Sequence, residues 1–600
     1  MTKTDRLELL KNLSPAEKAL LAHKLRERKA AAGVAIESGI PRRAGSGPIP
    51  LSSGQRRMWL AQQMDPESPA ANLLAPLRLE GTLDVRALAA GLTEVARRHE
   101  VLRLGIEAPD GEPVPALMPA APLPLPILDL AGLPGPLAEA ESLRLAAAEA
   151  GRPFDLARPP VMRARLARTA PGSHLLLLTL HHVAADGWSI AILIREMITL
   201  YGAFAAGLAS PLPELPLQYA DYAAWQQDRL AAGELAADLA YWRQRLAGLP
   251  PLELLGDRER PATAAARAAR PSLVLPAGLI DRLQELAKQE RGTLFMALAA
   301  VFAAFLGRLA ERDDVAFATP VAGRTQVEME GLIGFFVNTL VLRADLGGSP
   351  TLRQLMARLR TTLAEAYAHQ ELPFERLVEE LAPERRAGRH PLVQALLSFQ
   401  NAPREVLSVP GLSVTQVDVK AGGALFDLAM EVEPRDGALV ARLELDETLW
   451  GAAAVSRLPR GLEALLAAAV ADPDLPVWEL PFLSAAERRQ IPAAPAPEAT
   501  PAATSAPPAA RQIPADEWVG RVADIWAEVL GLPQIGEHDN FWQLGGHSLL
   551  ASRVAARIRQ AFGIDLPLRA VFEAPTPAEL AAVLAGRAGG ALAAGSPVPS

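Results

Sequence analysis

Cysteine is absent from all 600 residues, which removes disulfide bridges, thiolate metal sites, cysteine nucleophiles and thiol redox switching together. Histidine is scarce, nine in all, and no HExxH pair occurs, so zinc-hydrolase chemistry lacks its usual ligand pattern. There is no run of eighteen apolar residues, and the opening MTKTDRLELLKN is too charged for a secretory leader. A dominant charge is also lacking: 60 Lys and Arg against 68 Asp and Glu leave a net −8. So mild an imbalance argues against a protein built mainly to hold nucleic acid or an anionic membrane. The expectation is a soluble, cytoplasmic chain with neither kind of partner. What is present is apolar mass. Half of the residues are hydrophobic and 21% are charged, enough for real cores and too long a chain for one of them.

The chain divides by composition. Residues 1–45 carry ten basic and five acidic side chains, with leucines near helical spacing and Ser14-Pro15 placed to start a second helix. They read as a basic helical segment that either packs on the next domain or docks an acidic partner. Residues 48–490 keep an even composition in which strand and helix patterns alternate, the mark of a mixed α/β body large enough for two lobes. HLLLLTLHHV at 174–183 is an apolar run without helical periodicity, hence a buried strand. SIAILIREMITLYGAF after it has the spacing of an amphipathic helix. SLVLP, VAFATPV, NTLVLRAD, LVQALLSFQ and LSVTQVDV are further strand candidates. Between 492 and 514, 7 of 23 residues are Pro and 9 are Ala, a stiffened linker unable to build a core. Residues 515–586 read as a small all-helical domain, and 587–600 as a flexible tail.

Two short strings carry chemistry. In HHVAADGWS, at 181–189, a buried strand gives way to a helix. Neighbouring residues leaving a strand face opposite ways, so His181 and His182 cannot share one job: one imidazole can face a cavity as a base near neutral pH while the other packs inside. Asp186, buried at the turn, needs a cation to offset its desolvation. Gly187 lets a backbone or a substrate approach closely. In DNFWQLGGHSLL, at 539–550, Ser548 begins a helix, where the dipole and free N–H groups suit a phosphodiester.

The first string resembles HHxxxDG, the signature of the condensation domains of nonribosomal peptide synthetases, which are similar to chloramphenicol acetyltransferase. Six further motifs follow the family order: SSGQRRMWL at 52–60, RRHEVLRLGI at 97–106, YADYAAW at 219–225, LIGFFVNTLVLR at 332–343, HQELPFERLV at 369–378 and RHPLVQALLSFQN at 389–401. The chain departs from the pattern at Gly54, where Ala is usual, and at Leu104-Gly105. The resemblance implies a two-lobed α/β domain with a tunnel between the lobes, entered by a donor thioester from one mouth and an acceptor amine from the other. It implies that His182 faces the tunnel, as base or as orienting group, with positioning the safer role because a deprotonated amine already attacks thioesters. It implies that Asp186 pairs with Arg324 across the fold, a structural ion pair and not a proton shuttle. Details of the motifs resemble the subtype that takes an L-configured donor.

The second string resembles the GGHS motif of peptidyl carrier proteins, a four-helix bundle whose serine receives 4′-phosphopantetheine. That implies the cofactor on Ser548, Leu549 at the start of the face that partners read, and Trp542 packed in the loop where Phe is usual. No adenylation domain lies between 492 and 515, and no GxSxG thioesterase motif occurs. The implied partners are an upstream donor carrier protein, a phosphopantetheinyl transferase, a separate adenylation enzyme that loads Ser548, and a downstream synthetase, release or tailoring enzyme. The expected reaction is amide formation on the Ser548 arm. The alternatives are ester formation or release onto a soluble amine or hydroxyl, a coenzyme A acyltransferase, and a non-catalytic recruitment platform, against which the intact His181, His182, Asp186 and Gly187 argue.

Overall fold

The computed structural model describes residues 39–43, 47–254, 256, 268–381, 390, 392–400, 407–417, 424–435, 438–482, 515–541, 544, 548–564, 566, 570–571 and 574–593. Residues 1–38 of the basic segment and the whole Pro/Ala linker lie outside these.

The first lobe is built on a six-stranded sheet with the spatial order Leu407–Val409, Leu412–Gln416, Asn72–Gly81, Ser173–His181, Met162–Ala170 and Ile127–Asp129. Its pairings are antiparallel except at the Ile127–Asp129 edge, which runs parallel to Leu166–Arg168. Ser173–His181 is the central strand. Leu175 to Leu178 and Leu180 are all buried, so both faces are covered and the strand reads as a continuous apolar run without alternation. Helices Val85–Arg98 and Gly187–Ala205 pack together over this sheet. Gly187–Ala205 is the one single helix among the described residues long and apolar enough to cross a membrane; Ile192, Leu193, Met197 and Leu200 on it are buried in the core of this lobe.

The second lobe holds a seven-stranded sheet in the order Asn338–Asp345, Asp314–Val321, Ala395–Phe399, Leu428–Arg435 and Ala438–Asp446, the last pairing with both Ala268–Ala269 and Ser272–Leu275. Helix Leu294–Ala310, with an all-round apolar sequence, is buried along nearly its whole length, as such a composition requires.

Two crossings tie the lobes together. Leu412–Gln416, which follows the second lobe's strand Ala395–Phe399 in sequence, pairs with Leu77–Gly81 of the first sheet. Met329, Leu332, Ile333 and Phe336 insert into the core of the first lobe, so the loop before Asn338–Asp345 is a shared wall.

The C-terminal unit comprises helices Ala515–Leu530, Ser548–Phe562 and Pro577–Ala593 around a core that includes Trp526, Phe541, Val554, Ile558, Leu580 and Leu584. Ala570 and Val571 are helical too, with the residues around them outside those described. The last helix runs past 586, into the stretch expected to be a loose tail. It does so through Gly589-Gly590, each of which is about 1 kcal/mol less favourable in a helix than Ala. The strand expected over 412–419 ends at Gln416; residues 418 and 419 lie outside the described set.

Candidate active site

The site forms where Ser173–His181 stops and Gly187–Ala205 starts. Asp186 is the helix cap: its Oδ1 accepts the Ser189 N–H at 2.8 Å and the Ser189 hydroxyl at 2.7 Å. The turn between strand and cap is bonded to both sides, with the His181 N–H on Val161 O at 3.1 Å and the His182 N–H on Ala71 O at 2.8 Å. Gln55 Nε2 donates to Val183 O at 3.1 Å from helix Ser53–Met64, which begins with a Ser52/Gln55 capping box.

The adjacent histidines are held in opposite tautomers. His181 is fully buried; its Nδ1 accepts the Val183 N–H at 3.0 Å, so its Nε2 carries the proton and donates to Gln62 Oε1 at 3.2 Å. Phe154 packs edge-on against the same ring. His182 is half-buried, and its Nδ1 lies 3.2 Å from Ala185 O. A carbonyl only accepts, so Nδ1 carries the proton and Nε2 keeps its lone pair, with no protein partner among the described residues. Burial pushes His182 down to about 4 and His181 down to about 3. Both are neutral at pH 7, and only His182 has a nitrogen to spare.

Asp186 is fully buried and its cation is Arg324, Nη2 to Oδ1 at 3.1 Å. The guanidinium also donates through Nη1 to the carbonyls of Met329 and, at 2.7 Å, Leu332. Asp186 Oδ2 accepts the Phe336 N–H at 3.0 Å, and Ser189 Oγ accepts the Gly334 N–H at 3.1 Å and lies 2.8 Å from Gly334 O. Tyr219 adds a further tie: its hydroxyl donates to Phe335 O at 2.7 Å and so accepts from Ser52 Oγ at 2.7 Å. Gly334 cannot be anything larger, since a Cβ there would fall 1.9 Å from the Tyr219 ring. Around it the main chain of 329–336 is fixed from four directions.

Sequence reasoning anticipated a close approach at Gly187 by backbone or substrate. The structure removes the first option, because a Cβ at Gly187 would meet no heavy atom within 4 Å; the space beside it is open. Ser189, Tyr219, Ser52 and Phe335 carry no signal of their own in the sequence. All four lie inside the motif strings, yet their contacts bridge 116 to 167 residues, which no local pattern reveals.

A cavity of about 40 Å³ lies between the lobes, lined among others by Gly54, Trp225, Arg229, Phe335, Asn338 and Glu375. Its charges are paired, Arg57 with Glu375 at 3.0 Å and Arg229 with Glu371 at 2.8 Å. His182 does not line it directly; the Phe335 ring, which does, meets the imidazole edge-on at 5.6 Å. In the C-terminal unit Ser548 is the first residue of Ser548–Phe562. Its side chain, that of Leu549, Trp542 and the Gly545–His547 turn lie outside the described set.

The Condensation domain family model matches residues 46–492, and that of the phosphopantetheine attachment site matches residues 520–584. Chondramide synthase cmdD of Chondromyces crocatus is 42% identical over 74% of this chain and 11% of its own length. Phosphinothricin tripeptide synthetase PhsB of Streptomyces viridochromogenes is 40% identical over 79% of this chain and 40% of its own length. The chain thus spans a minor part of these curated relatives. Among solved structures, the X-domain from teicoplanin biosynthesis superposes with a TM-score of 0.68 at 30% identity, over 74% of this chain and 99% of that domain; it has also been solved in complex with OxyB. The chain belongs to the condensation-domain family of nonribosomal peptide synthetases, whose general reaction is amide-bond formation, and a 4′-phosphopantetheine attachment domain follows the condensation domain.

Proposed function

We propose that this chain joins a donor acyl or peptidyl thioester to an amine held on the phosphopantetheine arm of Ser548, and that Ser548 is loaded in trans by a separate adenylation enzyme. In this reading 48–490 is the condensation domain, 492–514 a linker and 515–586 the carrier. The observation that carries it is His182: a neutral imidazole with Nδ1–H on Ala185 O and an uncommitted Nε2. That lone pair accepts an N–H of the attacking amine and aims its nitrogen at the thioester carbonyl. The C–N bond forms as the C–S bond breaks, and the proton lost by nitrogen ends on the departing thiol. Asp186 and Arg324 do no proton transfer; they hold the turn and the 329–336 loop in place around the imidazole. His181, with both nitrogens committed, belongs to the interior.

The start of a fifteen-residue helix at Ser548 fits a phosphodiester, since the first N–H groups of a helix are unpaired and point at it. The arm, when attached by a phosphopantetheinyl transferase, supplies the thiol on which the amine is carried. Loading in trans is supported by the interval between the two family matches, 493–519, which is too short for an activating domain. An upstream carrier for the donor, a downstream enzyme for the product and a cytoplasmic setting complete the reading.

A second reading, recruitment of a tailoring enzyme to the carrier, is favoured by the likeness to the X-domain. Loading separates the two only when paired with turnover. The purified chain with ATP, magnesium and amino acids should show no aminoacyl mass; a separate adenylation enzyme from the same pathway should add one, and Ser548→Ala should abolish it. Adding a loaded donor carrier should then transfer the donor mass onto the Ser548 arm. Self-loading, or a donor mass that never transfers, contradicts the proposal.

A further inference from the structure

Gly54 sits in the first turn of helix Ser53–Met64, where glycine is a poor choice because only proline forms helix less well. Its backbone is not left-handed, so no torsional demand calls for it. The demand comes from Phe335. A Cβ on residue 54 would lie 2.8 Å from Cδ1 and 2.9 Å from Cε1 of that ring, closer than packed carbon atoms come. Alanine and this position of the ring are mutually exclusive.

The ring so accommodated stands between the inter-lobe cavity and His182. Phe335 is among the residues lining the cavity, and its ring meets the imidazole edge-on at 5.6 Å. Its backbone is pinned: Phe335 O accepts from Tyr219, Phe336 N–H binds Asp186, and Gly334 is bonded to Ser189. With the main chain fixed, the only motion left to Phe335 is rotation of its side chain. Phe335 borders this cavity and its ring touches the imidazole, so a group moving from this side toward Nε2 passes the ring, and turning the ring widens the way.

We propose that the Phe335 ring is a side-chain gate between the inter-lobe cavity and His182, seated by Gly54, and that the pair sets which substrate side chains reach the imidazole. Phe335 is thus a specificity-determining residue. The substrate part of the proposal rests on the condensation activity proposed above; the gate itself does not.

The test therefore has an arm without substrate. Diethyl pyrocarbonate acylates neutral imidazoles, and mass spectrometry of peptides from the full chain locates the adduct. Phe335→Ala, with Phe335→Leu as the milder variant if the first folds poorly, should raise the rate at His182 several-fold and leave His174 unchanged. Gly54→Ala should change the His182 rate in the wild-type background and have no effect when Phe335 is already Ala, because the ring is what it displaces. In the second arm, donor and acceptor substrates of graded side-chain size are compared. Phe335→Ala should move kcat/KM toward the larger members of one series by about tenfold per added methylene, the usual discrimination of a fitted wall. Unchanged modification of His182 in Phe335→Ala and Phe335→Leu overturns the gate. So does independence of the two sites, or size profiles unmoved in both series of an active chain. A chain inactive in condensation whose His182 is nonetheless unveiled by Phe335→Ala keeps the gate and fails the proposed function.

Discussion

Removing Asp186 or Arg324 breaks a buried ion pair that joins the turn carrying His182 to the inter-lobe loop. The side chains are 0% and 2% exposed, so each single change strands its partner, a loss of about 3–5 kcal/mol. The two losses should not be equal. Asp186→Ala also deletes the helix cap, worth about 1 kcal/mol, together with the acceptor for the Phe336 N–H. Arg324→Ala leaves Asp186 its donors on Ser189 and Phe336, so it belongs at the lower end of the range. The double mutant should fall short of the sum by about 2–3 kcal/mol, the coupling typical of residues in one network. Pulse proteolysis of the full chain across a urea series, following the condensation domain, measures all four corners of the cycle. Additivity within about 0.5 kcal/mol would falsify the clamp.

Three further outcomes are expected. His181→Ala should lower the urea midpoint, because it empties a buried site and unpairs Gln62 and the Val183 N–H, while leaving part of the turnover in the fraction that folds; abolished turnover with an unchanged midpoint contradicts the interior assignment. Stability should fall with acid. In the unfolded chain both imidazoles bind a proton near pH 6.5, whereas in the fold they do so only near 4 and 3. The unfolded chain thus holds more protons between these values, and the contribution is present above pH 6.5 and lost as pH drops toward 4; a midpoint that rises over that interval in the wild type but not in His181→Ala/His182→Ala reverses the sign. For the same reason the acid limb of the condensation rate should follow the acceptor amine, with no second break above about pH 4.

Much of this was legible in the sequence because it is written locally. The strand Ser173–His181 and the helix after it follow from an apolar run and a 3.6-residue period, and the break between them falls at Asp186-Gly187. The need of a buried Asp186 for a cation follows from desolvation alone; that Arg324 supplies it came from the motif and lies 138 residues away. What stayed hidden is made by contacts between distant segments. Gly54 showed only as a departure from pattern, and its reason, the Phe335 ring, is visible only once helix Ser53–Met64 lies against the 329–336 loop. The opposite tautomers of His181 and His182 depend on which backbone group each Nδ1 meets, which the order of residues does not encode. The crossing of Leu412–Gln416 into the first sheet was likewise invisible, since edge pairing depends on which partner is free and not on the strand's own period.

The most direct measurement is a single-turnover one. Ser548 is preloaded with an aminoacyl-pantetheine arm, a donor acyl-carrier is added, and the intact mass of the chain is followed in time. The wild type should gain the donor mass on the arm, and His182→Ala should gain it about 100-fold more slowly or worse, the usual worth of a positioned base or acceptor. Equal rates for the two proteins would contradict the assignment of His182 as the group at which the bond is made.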